Sequence, residues 1–318
     1  MNFKSITNLY NKLSNFGKLL FFVSLLLIII VIFKTINKEI NNRDNGLLEG
    51  FIQEQEFLFK KGPDIYDDFY ASIYDLLVFN QVKNDYEVGM ILNQASPNTK
   101  TIILDVGCGT GHHVGKIAAN PGVEILGIDD SPSMIKKAME NYPGLNFQLA
   151  DVLNRDTFSN NMFTHILCLY FTIYYLNNKQ QFFNNCMDWL KPGGYLFVHL
   201  VDKNKFDPIL PPGNPLYIVS PQKYAKERIT KTKINFDQFI YNSNFKINET
   251  SSSDVAIFDE KFKFNDGRVR KQEHILYMSD LGDITNLAQE AGFIIQGKID
   301  LVKVGYEYQY IYIFMKPT

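Results

Sequence analysis

Three rhythms of apolar and polar residues run along this chain. Near its start, Leu19 to Phe33 reads LLFFVSLLLIIIVIF, apolar on every side of a helix and bracketed by Lys18 and Lys34. Farther on, short β-branched and apolar runs alternate with segments of helical spacing. Thr101–Val106, Val123–Ile128, Leu145–Ala150, Phe163–Leu169 and Tyr195–Val201 read as strands, the first of them as a strand buried on both faces. The third rhythm fills about 203–282, which opens with LPPGNP. There ITKTKINFDQFIY, NFKINET, VAIFDEKFKF and VRKQEHILYM alternate with period two, and Asn265-Asp266-Gly267 marks a hairpin turn. A last helix, DITNLAQEAGF, precedes two more strands, FIIQGKIDLV and YQYIYIFMKP. The pattern predicts an α/β fold whose mostly parallel sheet carries helices on both faces and an antiparallel β insertion.

The first apolar run changes the picture. Fifteen uncharged residues make a helix of roughly 22 Å, short of a hydrocarbon core of about 30 Å. With Phe16 and Gly17 included, and with Lys18 and Lys34 reaching to the interface, it spans a thin bilayer. The following KTINKEINN offers no small-residue cleavage site, which favours an uncleaved transmembrane helix over a signal peptide. The expected organisation is a polar segment at 1–18, an anchor at 19–33, a polar linker at 34–62 and a folded domain at 63–316. Lysines flank the run evenly, so they set no orientation.

Composition narrows the partners. Charged residues are 21% and the formal net charge is −2, which gives no reason to expect a nucleic-acid partner. The three cysteines and five histidines show neither a disulfide framework nor a zinc-ligand spacing, so no metal is expected.

The densest chemistry lies in TIILDVGCGTG, residues 101–111. A strand ends in Asp105, then Gly107, Gly109 and Gly111 fall within five residues, and HHVGKIAAN continues with helical spacing. Such a turn lets a ligand approach backbone that any Cβ would block, next to the positive end of a helix. A dinucleotide fingerprint needs its third glycine where this chain has His112, and the Gly-Lys-Ser/Thr ending of a P-loop is absent. A second strand ends in Asp129-Asp130, followed by Ser131 as helix cap and Pro132 at the first helical position. A third ends before Asp151-Val152.

The D-x-G-x-G-x-G turn resembles motif I of the class I, Rossmann-like, S-adenosylmethionine-dependent methyltransferases. The run WLKPGGYLF, Trp189 to Phe197, resembles a second hallmark of that family. The likeness implies a seven-stranded sheet with its last strand antiparallel, and S-adenosyl-L-methionine as cofactor. It implies that Asp105, Gly107, Cys108, Gly109 and Gly111 pack on the methionine part. Asp129 would hold the ribose, with Asp130 as the alternative by register, and Asp151 and Val152 would hold the adenine. In IYDDFYASIYDLL, Tyr66, Tyr70 and Tyr74 fall at every fourth position of a helix that would close over the cofactor, Tyr70 foremost. The insertion resembles those of small-molecule N-methyltransferases, including aminosugar dimethyltransferases, and would form the acceptor pocket. His199, at the end of the fifth strand, is the first candidate for a general base, with Tyr170 and His274 after it. The function implied is methyl transfer to an N or O atom of a small-molecule or lipid acceptor, by a domain facing the cytoplasm on a single-pass anchor. A non-catalytic, membrane-tethered cofactor-binding module and a nucleotide-dependent oxidoreductase are the other readings.

Overall fold

The computed structural model describes residues 56–94, 100–208, 222, 225–247 and 254–318, with a few positions between 14 and 26. The chain forms two compact units, Met1–Ile52 and Gln53–Thr318. In the first, residues 16–18 are helical. Most of the run 19–33 expected as an anchor lies outside the described residues, as do 34–55 and the LPPGNP segment. Among the described residues, no helix is long and apolar enough to cross a membrane.

The second unit is built on strands β2 (Thr101–Val106), β3 (Val123–Asp129), β4 (Asn146–Leu149), β5 (Phe163–Cys168) and β6 (Leu190–Val201), with β11 (Ile294–Asp300) and β12 (Gln309–Met315) at the end of the chain. They form one seven-stranded sheet in the order β11-β12-β6-β5-β2-β3-β4. The pairs from β4 to β6 are parallel, whereas β12 runs antiparallel to both β6 and β11. The order reverses between β2 and β5, and ligands of open parallel sheets bind at the carboxyl edge beside such a reversal.

Both faces of this sheet are buried, which is why its strands read as continuous apolar runs. Leu104, Ile166, Leu196 and Val198 pack on one face with Phe182, Phe183 and Trp189 of the helix Lys179–Trp189. Ile103, Ile125, Leu167 and Phe197 pack on the other with Val88 and Ile91 of the helix Gln81–Gln94 and Val114 and Ile117 of the helix His112–Ala118. The Lys191-Pro192-Gly193-Gly194 stretch, whose residue types favour a turn, is already part of β6. Gly193 takes φ +75, and a Cβ on Gly194 would lie 2.9 Å from the Thr164 carbonyl oxygen.

A second sheet of five strands has the order β1-β10-β9-β8-β7. It contains β7 (Lys231–Asn235), β8 (Phe239–Ile247), β9 (Val255–Phe264) and β10 (Val269–Tyr277), all antiparallel, with Gly267 at φ +93 in the β9–β10 hairpin. Its fifth strand, β1 (Phe57–Lys61), comes from outside the insertion, in the segment read as the end of a linker. It pairs in parallel with β10 from Phe57↔Val269 to Lys61↔Glu273. The backbone edge of β10 supplies the reason, because an unpaired edge is a template for any extended segment within reach.

Candidate active site

The glycine turn joins β2 to the helix α3 (His112–Ala118), after α1 (Asp68–Val78) and α2 (Gln81–Gln94). Gly107, Gly109 and Gly111 all take positive φ, at +67, +53 and +87, where a side chain is strained. Two of the three missing side chains leave no room: a Cβ on Gly107 would lie 2.5 Å from Thr172, and one on Gly111 2.8 Å from Phe147. Gly109 differs. A Cβ there would meet only the Tyr74 ring, at 3.7 Å, so its backbone can be approached. The turn is held by the Cys108 amide donating to the Ile128 carbonyl at 2.9 Å and the Gly111 amide donating to the Cys108 carbonyl at 3.0 Å. Burial pushes the Cys108 thiol well above its ordinary range.

Four acidic residues reach this edge. Asp129, at the end of β3, accepts the Gly109 amide and the Ser131 amide, each at 3.0 Å. Burial raises its carboxyl to about 6, against the pull of those two N–H groups. Asp105 is buried at the end of β2, and its Oδ2 has no hydrogen-bond partner. Burial raises it to about 6 as well, opposed by His113. Asp151 is exposed and accepts the Leu153 amide at 2.8 Å, while Val152 beside it is buried. Asp130 is exposed, and withdrawal of its carboxyl from water, with Asp151 nearby, raises its pKa.

The segment ahead of β2 lies across the same edge. Asp75 of α1 accepts Thr110 Oγ1 at 2.6 Å and pairs with His112 Nε2 at 2.9 Å. Ser131 donates from Oγ to the Tyr66 carbonyl at 2.7 Å and caps the helix α4 (Pro132–Asn141) through the Met134 amide at 3.1 Å. Tyr66 precedes α1 rather than standing on it, unlike Tyr70 and Tyr74. The three rings still meet edge to face, Tyr66–Tyr70 at 5.5 Å and Tyr70–Tyr74 at 5.8 Å. Tyr175, in the short helix α5 (Thr172–Tyr175), joins at 5.8 Å from Tyr66. Burial raises all four phenols, which stay protonated at neutral pH.

The inner face of the second sheet closes the cluster with polar groups. Arg270, 2% exposed, donates to Asp67 Oδ2 at 2.8 Å, to the Ile65 carbonyl at 3.0 Å and to Gln272 Oε1 at 2.8 Å. Glu260 accepts from Tyr241 and Gln272, and its Oε2 lies 2.7 Å from His274 Nε2. Sequence reasoning passed over Glu260 and Arg270, although a signal existed. Period two puts Glu260 in step with Phe258 and Phe262, and Arg270 and Gln272 in step with His274 and Leu276, on the buried face.

The two residues expected as catalytic, His199 and Tyr170, stand next to each other. His199 is fully buried, and neither ring nitrogen makes a well-aligned hydrogen bond, with Gln309 the polar side chain that acts on it. Burial, then Lys83, lower its pKa to about 3, against Glu87. Tyr170 stands 6.1 Å from it with φ +53, a conformation that costs a non-glycine residue strain. Beneath them Lys83 pairs with Glu87 at 2.7 Å, and Glu87 contacts His113 Nε2 at 3.0 Å. Burial works to raise Glu87, but Lys83 and His113 outweigh it and hold the carboxyl at about 2.

Comparison with known proteins agrees with this geometry. Residues 103–194 match the methyltransferase domain model. Over 100 residues, 30% of this chain, the sequence is 35% identical to phosphoethanolamine N-methyltransferase 3 of Arabidopsis thaliana, of which it covers 20%. The chain thus spans well under half the length of the first curated relatives it matches. Among solved structures, an S-adenosylmethionine-dependent methyltransferase from Clostridium acetobutylicum superposes with TM-score 0.58 at 19% identity, over 79% of this chain and 99% of that one. The S-adenosylmethionine-bound amino pentose methyltransferase CalS10 from Micromonospora echinaspora gives 0.52 at 18% identity, over 76% and 98%. The chain carries a methyltransferase domain, set in the fold of the S-adenosylmethionine-dependent methyltransferases.

Proposed function

We propose that this chain transfers a methyl group from S-adenosyl-L-methionine to a nitrogen or oxygen atom of a small-molecule acceptor. One observation carries the reading. At a single sheet edge the open backbone of Gly109 lies beside the Asp129 carboxylate, with the unpartnered Asp105 Oδ2 buried at the end of the neighbouring strand. When bound, the cofactor supplies an electrophilic methyl on a positively charged sulfur.

The chain's own residues bind, orient and exclude water. Gly107 to Gly111, with Cys108, offer a backbone floor for the amino-acid end, and Asp105 offers an acceptor for its ammonium. Asp129 has lone pairs left for ribose hydroxyls beyond the two amides it already holds. Asp151, with Asp130 beside it, and Val152 suit the adenine, the first by accepting from its amino group and the last by packing. Tyr70, Tyr74 and Tyr170 wall the acceptor side. His199 is a weak base in this setting, because burial lowers its ring to about 3. The names of two similar proteins, a phosphoethanolamine N-methyltransferase and an amino pentose methyltransferase, favour nitrogen as the accepting atom.

Calorimetry with S-adenosylhomocysteine, followed by labelled-methyl transfer into a metabolite extract, tests the reading. Binding with transfer supports it, binding without transfer leaves a cofactor-holding module, and no binding removes it.

We infer further that the uncharged run 19–33 anchors the chain in a membrane with this domain in the cytoplasm, where the acceptor is a membrane-associated or soluble small molecule. Retention in the membrane pellet after alkaline carbonate washing tests the anchor, and release into the supernatant counts against it.

A further inference from the structure

Strand pairing decides which residues share the outer face of the second sheet, the face turned away from Glu260, His274 and Arg270. One row crosses it from Phe59 through Lys271, Lys261 and Asn242 to Lys233. On one side of that row lies another, from Phe57 through Val269, Lys263 and Ile240 to Asn235, and on the other side a third, from Lys61 through Glu273, Asp259 and Asn244 to Lys231. Together they hold six lysines and two carboxylates, a surplus of four positive charges in a chain whose formal net charge is −2. Glu273 pairs with Lys61, and Asp259 with Lys246 at 3.0 Å. Lys231, Lys233, Lys261 and Lys263 form no ion pair among the described residues.

The needs of the sheet do not explain this charge. Lysines on an edge strand guard against stray pairing, which accounts for Lys231 and Lys233 on β7. Lys261, Lys263 and Lys271 lie on β9 and β10, which have a paired strand on each side. Lys261 and Lys271 stand directly opposite each other, where like charges repel. At the other edge Phe57 and Phe59 of β1 are each 52% exposed on this same face, with the Lys271 ammonium 5.7 Å from the Phe57 ring. Between the two edges the face is hollowed by an open cavity of about 650 Å³, lined from Phe59 across to Lys231. Unneutralised cations, exposed aromatic rings and a hollow of small-molecule size therefore occupy one surface.

We propose that this outer face docks on an anionic phospholipid surface, with its lysines at the phosphates and Phe57 and Phe59 entering the headgroup layer. Each lysine near such a surface adds to the attraction, and aromatic side chains settle at the boundary of headgroup and acyl chain. Single-stranded nucleic acid is the other polyanion that lysines and phenylalanines suit. The uncharged run 19–33, ahead of β1 in the same chain, favours lipid. The choice of lipid thus rests on the anchor reading above, and the methyl-transfer reading is not needed for it. The tyrosine cluster at the cofactor edge meets the opposite face of the sheet, so docking leaves that edge open to its ligands.

The full chain carrying F59W tests the proposal, since Trp189, the one native tryptophan, is fully buried. Vesicles of phosphatidylcholine, alone or mixed with phosphatidylserine, carry brominated acyl chains that quench an indole at the interface. Quenching is expected with the anionic vesicles and not with the neutral ones. It should vanish at about 1 M salt, where charges are screened within about 3 Å. In K231Q/K233Q/K261Q/K263Q the docking equilibrium read from quenching should weaken about 10²-fold or more, at about fivefold per lysine, with the melting temperature not lowered. Equal quenching by both vesicles, or quenching unchanged by the four substitutions, overturns the proposal. So does release from the anionic vesicles by polyuridylate at matched phosphate concentration, which makes this a nucleic-acid face. Co-sedimentation with the neutral vesicles reads the anchor separately. A chain that sediments with both vesicles but is quenched by neither keeps its anchor and loses this proposal. A chain quenched by the anionic vesicles that does not sediment with the neutral ones keeps this proposal and loses its anchor.

Discussion

Asp129 holds the Gly109 amide at 3.0 Å, so the carboxylate proposed for the ribose also fixes the one glycine of the turn whose backbone is open to a ligand. Losing it removes a ligand contact and frees the turn. D129A is expected to weaken S-adenosylhomocysteine binding about 10²-fold by calorimetry, since each hydrogen bond to a charged group is worth about 1.5–3 kcal/mol. A change of less than threefold would count against the assigned role.

Acidity gives two trends of opposite sign. Asp105 and Asp129, both raised to about 6 from the ordinary 3.8, hold protons in the folded chain that the unfolded chain has already released. Their contribution to stability is complete below about 4 and is lost as pH rises through about 6. Cofactor affinity runs the other way, because Asp129 must be ionised to accept hydroxyl protons. Denaturation of the free protein should show stability declining from pH 4 to 6 relative to D129N, while calorimetry shows affinity increasing from pH 5 to 7. A flat affinity profile would separate Asp129 from the cofactor.

The turn itself is sterically committed. G107A places a methyl 2.5 Å from Thr172 at φ +67, a crowded site and a strained backbone together. The variant is expected to lose about 1–3 kcal/mol for the backbone alone, with more from the clash. Urea denaturation of the double variant G107A/T172A should recover the clash and leave the backbone part. Recovery to wild-type stability would mean that positive φ costs nothing at this position.

His199 presents the reverse situation, a buried ring whose nitrogens make no well-aligned hydrogen bond and whose polar neighbour is Gln309. Replacing an unsatisfied polar group by an apolar one of similar size is neutral or stabilising. H199L is therefore expected to match or exceed wild-type stability by up to about 1 kcal/mol, with methyl transfer retained. A loss of transfer of 10²-fold or more would return the base role to His199.

The core sheet was legible because its parallel strands are buried on both faces and separated by capped helices, as with Ser131 ahead of α4 and Pro132 at its first position. The glycine turn was legible because three positive-φ positions so close together leave little choice of residue. The polar interior of the second sheet was not. Alternation in VAIFDEKFKF puts Glu260 on the face of Phe258 and Phe262, but it does not say which partners meet its carboxylate there. The register that sets Glu260 opposite Gln272 is fixed by the β9–β10 hairpin and by packing on Phe69, which no local pattern encodes. Strand β1 was hidden for a similar reason, since its partner lies two hundred residues away.

That parallel pairing of β1 with β10 has a mechanical consequence. A pull on the chain upstream of Phe57 runs along β1, so it loads all five register pairs at once, in shear rather than one by one. Tension arriving from the N-terminal side is taken up first by this seam, as sliding of β1 along β10.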